Sequence, residues 1–371
     1  MSLYIGLMSG TSVDAIDAAL VNFSDDHSPE LLHAQATPFP EELRASILTI
    51  IQEPSCANLD MLGALDIALG HAYADAVKAL LETAEVEASE IVAIGNHGQT
   101  VRHQPDSELP FSTQLGDASI IAEHTSIATV ADFRSRDLAA GGQGAPLVPA
   151  FHQALFDTGE SRVVLNIGGI ANITVLGQRD EGGEALITGV DTGPGNTLLD
   201  AACQHYLEEN YDANGDHARQ GTVIAPLFKA LSSDDYFSRS GPKSTGREHF
   251  NLHWLNDHLR EHDDIEAVDL LATLSELTAW SIAESIRNKA PDTQRVMVCG
   301  GGIHNTDLIQ RIQSRLDCLV VSTEQHGLHP DWVEATAFAW LAKRCIDRQP
   351  GNLPSVTGAI GPRILGAIYP A

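Results

Sequence analysis

Two stretches of this chain share one pattern. In LYIGLMSGTSVDAIDAALVNF (3–23), apolar and β-branched residues break at small ones and resume a few positions later, as strand, turn and strand do. RVVLNIGGIANITVLG (162–177) repeats this, with its break at Gly168 and Gly169. Alternating helical and strand-like segments follow each, so two related α/β domains are expected, each opening on a hairpin. Helical spacing of apolar positions predicts helices over 60–84, 269–286 and 331–346. The second takes Asp269 as N-cap, with Leu270, Leu274 and Leu277 on its buried stripe. RVMVCGGGIHN (295–305) reads as a short buried strand running into three glycines. The Gly/Pro-rich segment 133–151 has the composition of a connection, which puts the domain change near 135. One domain is then 1–134 with about 350–371, and the other 135–349. The apolar tail after 349 is expected to pack on a domain surface.

Composition narrows the class. At 371 residues, 43% hydrophobic with 31 Gly and 17 Pro, the chain reads as a soluble globular protein of two domains. No basic leader precedes a long apolar stretch and no segment approaches a spanning helix, so a cytoplasmic location is expected. The five cysteines, Cys56, Cys203, Cys299, Cys318 and Cys345, are far apart and never CxxC, which argues against a disulfide framework or structural zinc. Lys and Arg number 22 against 50 Asp and Glu, a net charge of −28. That field repels nucleic acid and anionic membranes, and a nucleotide site inside it needs local Arg, Lys, Mg²⁺ or backbone N–H groups.

Three glycine-rich turns follow apolar strand-like runs: GLMSGTSVD (6–14), VDTGPGN (190–196) and VCGGGIHN (298–305). Glycine lets a ligand approach the backbone, and oriented N–H groups with Ser or Thr hydroxyls make anion-binding concavities. Asp191 at the mouth of the second turn is either a turn or cap residue or a proton acceptor. Neither GxxxxGK[ST] nor GxGxxG occurs; GPKSTG (241–246) has Lys-Ser without the upstream spacing of a P-loop. HLREH (258–262) matches an inverted zinc-protease pattern, but in polar surroundings and with no third ligand to nominate. GNHGQTVRH (95–103) sets His97, Gln99, Arg102 and His103 after a strand-like run, as a polar loop or as part of a site. Arg134 and Arg136 either face an anion or pair with nearby Asp. Glu334 lies on a largely apolar helix, either solvated or reaching into a cleft.

Read in order, IGLMSGTSVDAID, GNHGQTVRH, VADFRSRDLAAGGQGAPLVPAFH, LNIGGIANIT, DTGPGNTLLD, GPKSTGREHFNL, CGGGIHN, VEATAFAWLA and PGNLPSVTGA resemble the anhydro-N-acetylmuramic acid kinase family, over almost the whole chain. The resemblance implies an α/β fold of two duplicated actin/hexokinase-like (ribonuclease H-like) domains around a deep ATP cleft. It implies an ATP phosphate loop at Gly10, Thr11, Ser12, Val13, Asp14, Ala15, Ile16 and Asp17. A second phosphate loop is implied at Gly193, Gly195 and Asn196, with Asp191 as catalytic base, and an adenosine-side loop at Gly300, Gly301 and Gly302. His97, Gln99, Arg134 and Glu334 fall to the anhydrosugar pocket. The implied cofactors are ATP and Mg²⁺, the latter with its water shell on Asp14 and Asp17. The implied partners are the anhydrosugar and ATP, with neither nucleic acid nor membrane, and a homodimer is left open. Two departures stand out. Ala15 replaces a family glycine, at a cost of about 1 kcal/mol if φ there is positive, and Ile303 stands where a smaller residue is expected.

The implied activity needs unusual chemistry. The substrate's O6 bridges to C1, so no free hydroxyl exists to attack ATP. Opening the bridge with water at C1, assisted by Asp191, frees O6 to attack the γ-phosphorus, giving N-acetylmuramic acid 6-phosphate in cell-wall recycling. A conventional sugar kinase, an ATP-dependent sensor or chaperone, and a zinc hydrolase are the rival readings.

Overall fold

The computed structural model describes residues 2–10, 12–24, 29–179, 185–239, 243, 245–246, 249–260, 262 and 264–371. Thr11 of the first phosphate loop lies outside them. So do Glu261 of HLREH and Gly241, Pro242, Ser244, Arg247 and Glu248 of GPKSTGREHFNL.

The first hairpin forms where its apolar pattern predicts. Strand β1 (Leu3–Met8) turns back into β2 (Ala15–Asn22), with Met8 opposite Asp17, and β3 (Glu30–Pro38) adds to β2. On the other edge β4 (Ile91–Asn96) runs parallel to β1. A ribbon of β5 (Gln99–Gln104) and β6 (Phe111–Leu115) intervenes before β7 (Thr129–Ala131) joins β4. The second hairpin repeats the plan. β8 (Arg162–Ile167), β9 (Ile170–Arg179) and β10 (Ala185–Pro194) form an antiparallel meander. Then β11 (Arg295–Cys299) and β12 (Leu319–Ser322) extend outward from β8 in parallel. The orders β3-β2-β1-β4-β7 and β10-β9-β8-β11-β12 are therefore the same, and β13 (Ala367–Tyr369) caps the first sheet beside β7. The two α/β domains are duplicates, as the paired hairpins predict.

The first sheet is sandwiched by helices. Leu59–Ala84, capped by the Asn58 side chain on the Met61 N–H, buries Leu65, Leu69, Tyr73, Val77 and Leu80 in the core of the first unit. Val333–Ile346 packs on the opposite face of that sheet, where Gly6 and Gly95 are paired across β1 and β4. A Cβ on Gly6 would lie 1.8 Å from the Ala335 carbonyl oxygen, and one on Gly95 2.0 Å from that of Phe338. Only glycine admits so close a helix backbone.

That contact moves the expected boundaries. The compact units are Met1–Leu155 with Trp332–Ala371, and Phe156–Asp331, rather than divisions near 135 and 350. The helix through 346 belongs to the first unit through its glycine-lined seat. The 133–151 segment stays there too, containing helix Ser135–Ala139 and bonds to the chain's end. The helix expected over 269–286 spans Ala267–Lys289 with Glu266 at its N-cap. Asp269 lies in its first turn and instead accepts from the Thr222 N–H at 2.6 Å. Among the described residues, no helix is long and apolar enough to cross a membrane.

Candidate active site

In open parallel sheets, ligands bind beyond the carboxyl ends of the strands. In the first unit these ends are the turn after β1 and the segment after β4. Within the turn, the Val13 N–H donates to the Gly10 carbonyl (3.2 Å). Val13, fully buried, holds the positive φ of 55° that the sequence reading feared at Ala15; Ala15 is extended, at the start of β2. A β-branched residue in that region stores of order 1–3 kcal/mol. Arg44 clamps it, Nε donating to the Val13 carbonyl (2.9 Å) and a terminal nitrogen pairing with Asp14 (3.1 Å). A Cβ on Gly10 would meet nothing nearer than Ser12 Oγ at 3.7 Å, so packing does not demand glycine there.

After β4 the chain turns through His97 and Gly98. Gln99, fully buried, donates through Nε2 to the Gly10 carbonyl (3.3 Å), tying this segment to the first turn. Arg134 Nη2 donates to His97 Nε2 (2.7 Å), and Nη1 to the Gly144 carbonyl (2.7 Å). Guanidinium cannot accept, so neutral His97 carries its proton on Nδ1. Burial, then the Arg134 charge, holds His97 well below its usual range. Burial lowers Arg134 to about 10, against the pull of Glu334 and Asp137. Burial likewise raises Glu334, and Arg134 opposes it without a direct ion pair. Of the four predicted sugar-pocket residues, His97, Arg134 and Glu334 are thus one electrostatic and hydrogen-bonded group, with the His97 ring tilted against Phe338 of the Glu334 helix at 4.6 Å, while Gln99 bonds the Gly10 and Thr100 carbonyls. Three buried atoms among the four lack partners: His97 Nδ1, Arg134 Nε and Gln99 Oε1. A polar cavity of about 350 Å³ opens beside His97, walled by Asn96, Gln114, Asp132 and Ser135. Arg102 and Arg136 are exposed, and His103 bonds Ser112 (2.9 Å) instead.

Sequence reasoning missed the support of Arg134. Buried Asp137 accepts from Asn352 Nδ2 (2.7 Å), Thr357 Oγ1 (2.8 Å) and the Gly144 N–H (2.8 Å). Gly144 then presents its carbonyl to Arg134. The GGQGAP and NLPSVTGA motifs are the two sides of this clamp, and their unusual specificity was the signal available.

In the second unit β10 continues past Asp191 to Pro194, with an irregular register between Asp191 and Gly193. Asp191 Oδ2 accepts from the Thr245 N–H (3.1 Å), and its carbonyl from the Tyr236 hydroxyl (2.7 Å). Gly193 has φ +151°. The N–H groups of Gly195, Asn196 and Thr197 donate to the Gly168 and Gly169 carbonyls at 2.9–3.0 Å, so DTGPGN braces the β8–β9 turn. A Cβ on Gly195 would lie 2.3 Å from Gly168 O. By the duplicated topology Gly168–Gly169 occupies the place of the first turn, a correspondence the paired hairpins could have disclosed. The 300–302 loop meets the same strand end. Cβ atoms on Gly300 and Gly302 would strike Asn166 and Ile167 of β8, whereas one on Gly301 would meet nothing within 4 Å. Ile303 packs on the unit's core. The glycine turns at 190 and 298 therefore converge on one end of β8. His258 of HLREH bonds the Trp254 carbonyl (2.9 Å), and no metal-ligating group of three exists among the described residues.

Duplicated sheets of this order, with glycine turns at the carboxyl ends of their strands, define an α/β protein of the actin/hexokinase-like fold class. A family model described as anhydro-N-acetylmuramic acid kinase matches residues 2–371. Curated proteins named anhydro-N-acetylmuramic acid kinase match along their length. One from Xanthomonas axonopodis pv. citri (strain 306) is 48% identical, covering 100% of this chain and 98% of its own. One from Coxiella burnetii (strain Dugway 5J108-111) is 49% identical over 99% and 97%. Among solved structures, an activator of 2-hydroxyisocaproyl-CoA dehydratase from Clostridium difficile with bound ADPNP aligns at TM-score 0.47 and 11% identity, covering 93% of this chain and 97% of that one. The chain belongs to the anhydro-N-acetylmuramic acid kinase family. Its activity is the ATP-dependent opening and O6 phosphorylation of the anhydrosugar in cell-wall recycling.

Proposed function

We propose that the His97–Gln99–Arg134–Glu334 group binds the anhydrosugar and that Asp191 is the base of its phosphorylation. The observation that carries this is the set of partnerless buried atoms, His97 Nδ1–H, Arg134 Nε–H and Gln99 Oε1. Buried polar groups are almost always paired. Two donors and one acceptor left open together suit a ligand rich in hydroxyl, ether and amide groups. Open space at Gly10 in one unit and Gly301 in the other supports nucleotide approach at those turns. The Gly168–Gly169 turn joins them by its correspondence to the first.

The Thr245 N–H and the Tyr236 hydroxyl fix the orientation of Asp191. Its carboxylate takes a proton from water as that water bonds to C1. The C1–O6 electron pair passes to O6, which attacks the γ-phosphorus as the bond to ADP breaks. Such a transition state needs positioning and charge neutralisation more than covalent help. Mg²⁺ would supply part of that neutralisation. Asp14 fits an outer-sphere role, being exposed with only one oxygen on Arg44, and Asp17 lies across from Met8 in the same hairpin. The need for ATP supports a cytoplasmic location.

Asp191→Asn should keep ATP binding while kcat falls about 10²–10⁴-fold, the usual worth of a general base. In ¹⁸O-water the wild-type product should carry label at C1 and none in the phosphate. Wild-type turnover in the variant, or label in the phosphate, overturns the scheme.

A further inference from the structure

Within the GPKSTGREHFNL segment the Thr245 N–H orients Asp191, but the Lys243 side chain has no role in the reaction as derived above and points to a second site. β10 presents Val190 and Thr192 to a recess of about 270 Å³ in the second unit, which Asp191 does not line. Phe237 and Trp280 form its aromatic walls, and Arg239, Lys243 and Lys289 converge on it. Among the described residues none of these three cations has a carboxylate within ion-pair distance. Lys243 Nζ rests instead 4.5 Å from the Tyr236 ring centre and donates to the Tyr236 carbonyl (3.3 Å), while the Arg239 guanidinium lies 5.8 Å from the same ring. The single carboxylate on the wall, Glu284, is already paired with Arg287 on the same helix. Burial and the charges of Lys289 and Arg239 push the Lys243 ammonium below its ordinary value, against the pull of the Asp191 carboxylate. In a chain of net charge −28, three like charges gathered in one recess repel one another, and an anion between them removes that repulsion.

We propose that this recess binds the dianion of a phosphomonoester. Three cations suit a group with three equivalent oxygens and two charges, and the aromatic walls accept a compact organic body. A polyanion is excluded by the recess's size and the surrounding negative field. None of the residues lining the recess belongs to the group assigned to the sugar or is a glycine of the turns assigned to the nucleotide. Filling it would nonetheless be felt at the catalytic strand, because the Lys243 carbonyl accepts from the Asp191 N–H (3.2 Å).

Inorganic phosphate is the first probe, titrated against tryptophan fluorescence of the full-length enzyme with its nucleotide site saturated by ADP and ionic strength held with chloride. Glucose 6-phosphate and N-acetylmuramic acid 6-phosphate are the second and third. The wild type should give a saturable signal, and Arg239→Gln/Lys289→Gln should weaken it about ten-fold or more. Both changed residues are exposed, so circular dichroism should be unaltered. Lys78→Gln, removing an exposed cation of the first unit, should shift binding less than about two-fold. Tighter binding of one sugar phosphate, lost in the double variant, identifies the organic body; equal binding of all three assigns the site to phosphate itself. No saturable signal in wild type, or unchanged affinity in the double variant, overturns the proposal.

Discussion

Single residues in the glycine loops answer to two different demands. A Cβ on Gly302 would lie 2.2 Å from Ile167 Cγ2. Gly302→Ala should therefore overpack the end of β8 and destabilise by about 1–3 kcal/mol. Gly301 faces open space, so Gly301→Ala should stay within about 0.5 kcal/mol of wild type, yet raise the KM for ATP. Paired thermal melts and ATP kinetics check both, and an unchanged KM would remove Gly301 from the nucleotide's path. His152 makes a pH prediction. Burial drives its imidazole down to about 3 from the usual 6.5. Between those values the unfolded chain binds a proton that the folded one refuses, so stability falls as pH drops below about 6.5. The loss should reach about 2 kcal/mol by pH 5, at 1.36 kcal/mol per pH unit. His152→Leu should flatten that part of a denaturation series run from pH 7 to 5.

At the scale of elements, the chain's C-terminal segment acts on Arg134 through Asp137. Asn352 and Thr357 donate to one carboxylate oxygen, while the other holds Gly144, whose carbonyl seats Arg134. Thr357→Val removes one buried donor and should cost about 1 kcal/mol. It should also raise the KM for the anhydrosugar more than it lowers kcat, because it loosens Arg134 without touching Asp191. Thr357→Ser should restore both, and a variant with normal KM would make the clamp purely structural. The helix beginning at Ala267 shows how an element can be legible and its cap not. Apolar spacing located it, but Asp269 accepts from Thr222 of another segment. Local sequence cannot say whether a carboxylate near a helix start serves its own N–H groups or a neighbour's.

Over the whole molecule, duplication was readable from two hairpins with glycine breaks, since apolar periodicity depends only on neighbours along the chain. Convergence of the second sheet's glycine turns on one end of β8 was readable as well, because each turn follows a strand and strand ends gather at one edge of a sheet. The unit boundaries were not. Residues 332–346 lie near the segment expected to divide the halves, yet the Gly6–Gly95 seat takes them into the first. Composition marked 133–151 as a connection, where Asp137 makes it a packed part of that unit.

The order of apolar and small residues along this chain was enough to determine its duplicated α/β plan and its glycine turns, and the resemblance of its motifs pointed to the family it belongs to. Tertiary structure alone decided which N–H groups face inward at Gly195 and Asn196, why Val13 bears the strain, and which buried atoms of His97, Gln99 and Arg134 stay open. The reason is physical. Periodicity and turn chemistry act over a few residues, whereas the satisfaction of a buried polar atom depends on every segment folded against it.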